Sequence, residues 1–71
     1  MLHLVHAPAS SVDSTLPPIE LRVERLTLSK RLWRGTATDG TEFGFELAAP
    51  LKHGDTFFQS VAARYTIQQI P

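Results

Sequence analysis

Residues 30–47 read Lys30-Arg31-Leu32-Trp33-Arg34-Gly35-Thr36-Ala37-Thr38-Asp39-Gly40-Thr41-Glu42-Phe43-Gly44-Phe45-Glu46-Leu47, or KRLWRGTATDGTEFGFEL. Asp39-Gly40 sits between two alternating segments, which is a strong hairpin signal because a type I′ turn needs positive φ at both central residues. A two-residue loop pairs Thr38 with Thr41, Thr36 with Phe43, Arg34 with Phe45 and Leu32 with Leu47. That register predicts a core face of Leu32, Phe43, Phe45 and Leu47. It places Trp33, Gly35 and Gly44 on the opposite face. Three cations, Lys30, Arg31 and Arg34, surround the only tryptophan.

The rest of the chain supports strands on both sides of this hairpin. Leu2-His3-Leu4-Val5-His6 reads as a short strand. Residues 7–18 hold three prolines and four hydroxyl residues and read as a loop, either mobile or packed along the surface. Ile19, Leu21 and Val23 alternate with Glu20, Arg22 and Glu24, as in a strand with one wet face. A turn or very short helix is expected near Thr27–Lys30. Leu51-Lys52-His53-Gly54-Asp55 is a turn, followed by a strand from Thr56 to Gln59, a turn at Ser60–Ala63 and a returning strand from Arg64 to Ile70. Helical periodicity is nowhere sustained. The expected fold is all-β: about six short strands in two small packed sheets, forming a single domain over residues 1–71.

Composition narrows the function. A chain of 71 residues without cysteine has a thin core, no disulfide and no thiolate metal site. Seven Lys+Arg balance seven Asp+Glu, so the basic excess of a general nucleic-acid binder is missing. No stretch approaches the roughly 18 apolar residues of a membrane-spanning helix, and MLHLVHAPASSV lacks the basic and apolar regions of a signal peptide. The cytoplasm is the expected location.

Catalytic and metal chemistry find little footing. His3 and His6 are three apart, which on a strand sends them to opposite faces, and His53 lies in a distant turn. Glu42 and Glu46 share a strand face but stand roughly 13 Å apart, at a rise of about 3.3 Å per residue. That exceeds the spacing of a glycosidase pair. Asp55 after Gly54 reads as a turn residue. No nucleophile motif, phosphate loop or cofactor fingerprint appears, so the residues point away from an enzyme. Lys30, Arg31, Trp33 and Arg34 remain as candidate partner-binding residues, because arginine and aromatic side chains are enriched at interface hot spots. The competing reading packs Trp33 over Gly35 and leaves the cations to solvate and protect a sheet edge.

One ordered set of motifs goes further. KR-x-x-R at Lys30, Arg31 and Arg34 is followed by Asp39-Gly40-Thr41-Glu42, then Phe43-Gly44-Phe45-x-Leu47, then Leu51-x-x-Gly54-Asp55. In this order and spacing the chain resembles the N-terminal domain of the UreE family of urease accessory proteins, closely over residues 19–70 and loosely over 1–18. It departs from many members at Ala48-Ala49-Pro50, where they have Arg-Gly. The resemblance implies two three-stranded mixed sheets and a chaperone-type, protein-contacting role in nickel delivery and urease maturation. The implied partners are urease apoprotein or its maturation proteins, with neither nucleic acid nor membrane; self-association stays open. In the family, nickel is held by a second, ferredoxin-like domain. The 71 residues contain no counterpart of it, so no cofactor and no nickel ligand is carried over to this chain. Two alternatives stand beside this: a stand-alone β module binding protein outside any urease context, or a weak metal binder using His3, His6 and His53.

Overall fold

The computed structural model describes residues 2–9 and 11–70. Six strands and one helical turn follow in the order β1 (Leu2–Val5), β2 (Pro18–Glu24), α1 (Arg25–Leu28), β3 (Leu32–Thr36), β4 (Glu42–Glu46), β5 (Thr56–Gln59) and β6 (Arg64–Ile70). They form two three-stranded sheets, ordered β1-β4-β3 and β2-β6-β5. Both sheets are mixed and built alike. A hairpin (β3–β4 or β5–β6) is antiparallel, and a strand from the N-terminal part of the chain, β1 or β2, joins its second strand in parallel. The expected short helix is present, but slightly earlier, at Arg25–Leu28.

The sheets pack face to face on one core. Leu21, Val23 and Ile67 come from one sheet; Val5, Trp33, Phe43 and Phe45 come from the other. Phe43 is the hub. It is 0% exposed, and its ring meets Phe57 edge-on at 4.8 Å and Tyr65 at 5.1 Å, both from the opposite sheet. Consecutive Phe57 and Phe58 cannot both face inward on a regular strand. A register irregularity between Thr56 and Phe58 leaves Phe57 without a partner on β6, and this lets both rings pack against the core.

The loop after β1 is packed rather than free. Ala9 N–H donates to Thr56 O at 2.9 Å, Asp13 N–H to Gln59 Oε1 at 2.7 Å, and Arg64 Nε to Leu16 O at 3.1 Å. These bonds supply partners for backbone that a long loop would otherwise leave to water. On the opposite side, Thr38 N–H donates to Glu20 O at 2.9 Å and ties the β3–β4 hairpin to β2.

The hairpin itself corrects the expected register. The observed pairs are Leu32–Glu46, Trp33–Phe45, Arg34–Gly44, Gly35–Phe43 and Thr36–Glu42. Every pair is shifted by one residue from the two-residue-loop reading. The cause lies at the tip. Gly40 N–H donates to Ala37 O at 2.9 Å, and Ala37 N–H donates to Thr41 O at 2.8 Å. The loop is therefore three residues, Thr38-Asp39-Gly40. Gly40 has φ +92°, while no non-glycine residue among those described has positive φ. This is a type I turn closed by a left-handed glycine, the common three-residue hairpin. Because side chains alternate with period two, the shift exchanges the faces of β3. Trp33 turns inward and Leu32, expected in the core, is 71% exposed.

Asp39 is held in that turn from two sides. Thr41 N–H donates to its Oδ1 at 3.0 Å, and the Tyr65 hydroxyl donates to its Oδ2 at 2.7 Å across the sheets. The Thr41 amide, and then the Tyr65 hydroxyl, hold the Asp39 carboxyl below the ordinary carboxylate value. For Tyr65, the Thr41 hydroxyl favours the phenolate. The Asp39 hydrogen bond, burial and the Asp39 charge together outweigh it, and its hydroxyl is raised above the ordinary value. The signs follow by linkage. Asp39 stabilises the fold above the ordinary carboxylate value, and this is lost as pH falls through its depressed folded value. Tyr65 stabilises below the ordinary phenol value, and this is lost as pH rises through its raised folded value. Tyr65→Phe is expected to flatten both limbs, the acid one only in part because the Thr41 amide remains. Urea midpoints followed from acid to alkaline pH check this; unchanged limbs would show that the contact carries no stability.

Candidate interaction surface

The one-residue shift builds a surface that the expected register did not contain. On the outside of the β1-β4-β3 sheet, parallel pairing sets Leu2 beside Glu42 and Leu4 beside Gly44. Antiparallel pairing sets Leu32 beside Glu46, Arg34 beside Gly44 and Thr36 beside Glu42. Gly44 is thus the centre of the outer face, flanked by leucines on β1 and by Leu32 and Arg34 on β3. A Cβ on Gly44 would meet Leu2 Cδ2 at 3.0 Å and Leu4 Cδ2 at 3.2 Å, so glycine lets both leucines lie down over the central strand. A shallow groove of about 310 Å³ results, lined by Leu2, Leu4, Leu32, Arg34, Gly44 and Glu46, with Trp33 and Phe45 also contributing to its wall. A second depression of about 290 Å³ shares Leu2 and Arg34 and runs on to Thr36 and Glu42. Leu4 is 57% exposed and Leu32 71%. Exposed large apolar side chains grouped on one face mark interaction sites more often than scattered ones do.

The candidate partner-binding residues divide. Lys30, Arg31 and Arg34 are exposed. Arg31 precedes β3, where its carbonyl accepts from Leu47 N–H at 2.8 Å, and Arg34 stands on the outer face. The ion pair found among the described residues joins Arg22 to Glu20 at 3.5 Å and involves none of these cations. Trp33 differs from the three cations in being buried. It is 9% exposed and stacks on Phe45, with ring centroids 4.0 Å apart and planes 18° apart. Its ring also lies over Gly35, where an added Cβ would meet Trp33 Cζ3 and Leu21 Cδ2, each at 3.0 Å. The competing reading of Trp33, packed over Gly35, describes its position. Its Nε1 is buried and meets no acceptor among the described residues.

What sequence reasoning missed was the pair Leu4 and Leu32. A signal was present: one register buries Leu32 and exposes Trp33, the other does the reverse. The indole removes more apolar area from water, which favours the three-residue loop.

The histidines are dispersed. His3 faces the core side, its ring 5.6 Å from Phe43 and 5.2 Å from Phe58. His6 Nδ1 is 3.2 Å from Glu46 O, and His53 Nδ1 accepts from Gln69 N–H at 3.0 Å. Among the described residues no group of three or more His, Cys, Asp or Glu side chains is placed to hold a metal ion. Asp55 is occupied locally, Oδ2 accepting from Lys52 N–H at 2.8 Å. Among the described residues, no helix is long and apolar enough to cross a membrane. Set against known proteins, the chain matches no family model and no curated protein.

Proposed function

We propose that this chain is a protein-interaction domain of chaperone type, acting in nickel-dependent urease maturation without a nickel site of its own. The observation that carries the interaction role is the outer face of β1-β4-β3. There Leu4 and Leu32 are exposed on either side of Gly44, which Leu2 and Leu4 cover, beside Arg34. The urease context is supported by the ordered motifs from Lys30 to Asp55, and by the two three-stranded mixed sheets that the resemblance implies. The occupant proposed for the groove is an extended segment of urease apoprotein or of a maturation protein. Its apolar side chains would cover the leucines. Its acidic side chains would meet Arg34 and the neighbouring Lys30 and Arg31, which have no ion-pair partner among the described residues.

The test is a pull-down and calorimetric titration against purified urease apoprotein and its maturation proteins. Leu32→Asp combined with Arg34→Glu is expected to weaken binding about a hundredfold, as loss of an apolar anchor and reversal of a charge would. Its melting temperature should stay near that of the unmodified chain, since both side chains are exposed. Failure of the unmodified chain to bind any of these proteins would remove the urease reading. Undiminished binding by the double variant would remove the groove. A nickel titration of the same chain separates the histidine-based alternative: tight stoichiometric binding abolished by His→Ala changes would establish it.

A further inference from the structure

A third concavity lies where α1 meets the β4–β5 connection. It is a cleft of about 200 Å³ lined by Arg25, Lys52, His53 and Gln69 above Leu28 and Leu51, with Ser29 at its side. We propose that this cleft binds a phosphoryl group, either free phosphate or the phosphate of a small phosphomonoester.

Charge comes first. The chain as a whole is neutral, with seven basic and seven acidic side chains, yet no carboxylate lines the cleft. Arg25 comes from α1, Lys52 and His53 from the turn before β5, and Gln69 from β6, so folding assembles the group from three parts of the chain. Neither Arg25 nor Lys52 belongs to the ion pair found among the described residues. The nearest turn carboxylate, Asp55, accepts from the backbone amide of Lys52 at 2.8 Å.

A hydrogen bond from the backbone orients His53. A backbone N–H only donates, so the bond from Gln69 N to His53 Nδ1 at 3.0 Å requires that nitrogen to be unprotonated. The proton therefore sits on Nε2, which is left as a donor. Ser29 gives its hydroxyl proton to Leu26 O at 2.7 Å and adds no donor. Donors remain on Arg25, Lys52, His53 Nε2 and the Gln69 side-chain amide. Cationic and neutral donors drawn from separate elements around one cleft would suit a tetrahedral dianion with three free oxygens. Leu28 and Leu51, 4% and 3% exposed, form an apolar floor that would take the carbon end of a monoester.

The experiment is a ¹H–¹⁵N NMR titration of the whole chain with inorganic phosphate, with glycerol phosphate and with sodium chloride at matched ionic strength. Saturable shifts at the Gln69 amide, the Lys52–Gly54 amides and the Arg25 Nε–H are expected with the phosphates and not with chloride. Arg25→Ala and Lys52→Gln should each weaken binding about tenfold, the loss of one charge-assisted hydrogen bond. Arg34→Ala should leave it unchanged. Tighter binding of glycerol phosphate identifies a monoester as the source, and equal binding identifies free phosphate; either supports the site. Shifts that fail to saturate, that chloride reproduces, or that persist in both Arg25→Ala and Lys52→Gln would overturn it. Both side chains lie at the surface, and the dispersion of each variant's spectrum reports its fold in the same measurement.

Discussion

Alanine in place of Phe43 is expected to leave the domain largely unfolded at 37 °C. The ring is fully buried and touches aromatic side chains from both sheets: Phe45 on its own strand, and Phe57, Phe58 and Tyr65 across the core. Truncating a buried phenylalanine costs about 3–5 kcal/mol, through lost transfer energy and the cavity left behind. A domain of this length has on the order of 4–10 kcal/mol in total. The variant therefore loses a large share of its stability at the point where the sheets meet. Phe43→Leu, which keeps most of the volume, should cost about 1–2 kcal/mol. Urea denaturation followed by far-UV circular dichroism measures both. A Phe43→Ala midpoint close to that of the unmodified chain would mean that the sheets do not depend on this ring.

Trp33→Ala is expected to behave as a core truncation, at about 3–5 kcal/mol. The indole stacks on Phe45 and covers Gly35, and alanine there would open a cavity between them, leaving Phe45 to Phe43 and Phe57 and Gly35 to Leu21. Any loss of partner binding in this variant would follow from unfolding. The informative comparison is Trp33→Phe. It forfeits part of the apolar area. It also removes a buried N–H with no acceptor among the described residues, an arrangement that costs about 1–3 kcal/mol where it occurs. The two effects oppose, so Trp33→Phe should lie within about 1–2 kcal/mol of the unmodified chain. Circular dichroism melts beside a pull-down decide. A Trp33→Ala variant that melts normally but fails to bind would place the ring outside the core.

Much of this architecture was legible in the residues. Alternation in Ile19–Glu24 set the wet and dry faces of β2, and Leu21 and Val23 are buried as that pattern requires. The outward placement of Glu42 and Glu46, the separation of His3 from His6 and the turn role of Asp55 all followed from period two and turn chemistry. The irregularity at Phe57 was less accessible. Nothing local distinguishes Thr56-Phe57-Phe58-Gln59 from a regular strand, and only an opposing sheet with room for both rings makes the extra residue favourable. The cleft at Arg25 and Lys52 was equally hidden, since its members are 27 positions apart in the chain.

The Asp39-Gly40 hairpin shows where local sequence stops. The sequence by itself determined that a turn falls there, that strands flank it and that the fold is all-β. Those features depend on glycine's access to positive φ and on the alternation of apolar residues, both local properties. It did not determine whether the loop holds two residues or three, because Asp-Gly suits either turn. Tertiary packing chose three. That choice buries Trp33 against Phe45 and Gly35 and leaves Leu32 in solvent. It also brings Asp39 to Tyr65 on the other sheet. A shift of one residue is nearly neutral within the turn but exchanges every side chain of β3 between the two faces. The core, and the apolar surface on the far side of the sheet, were therefore settled together by what the second sheet had room to cover.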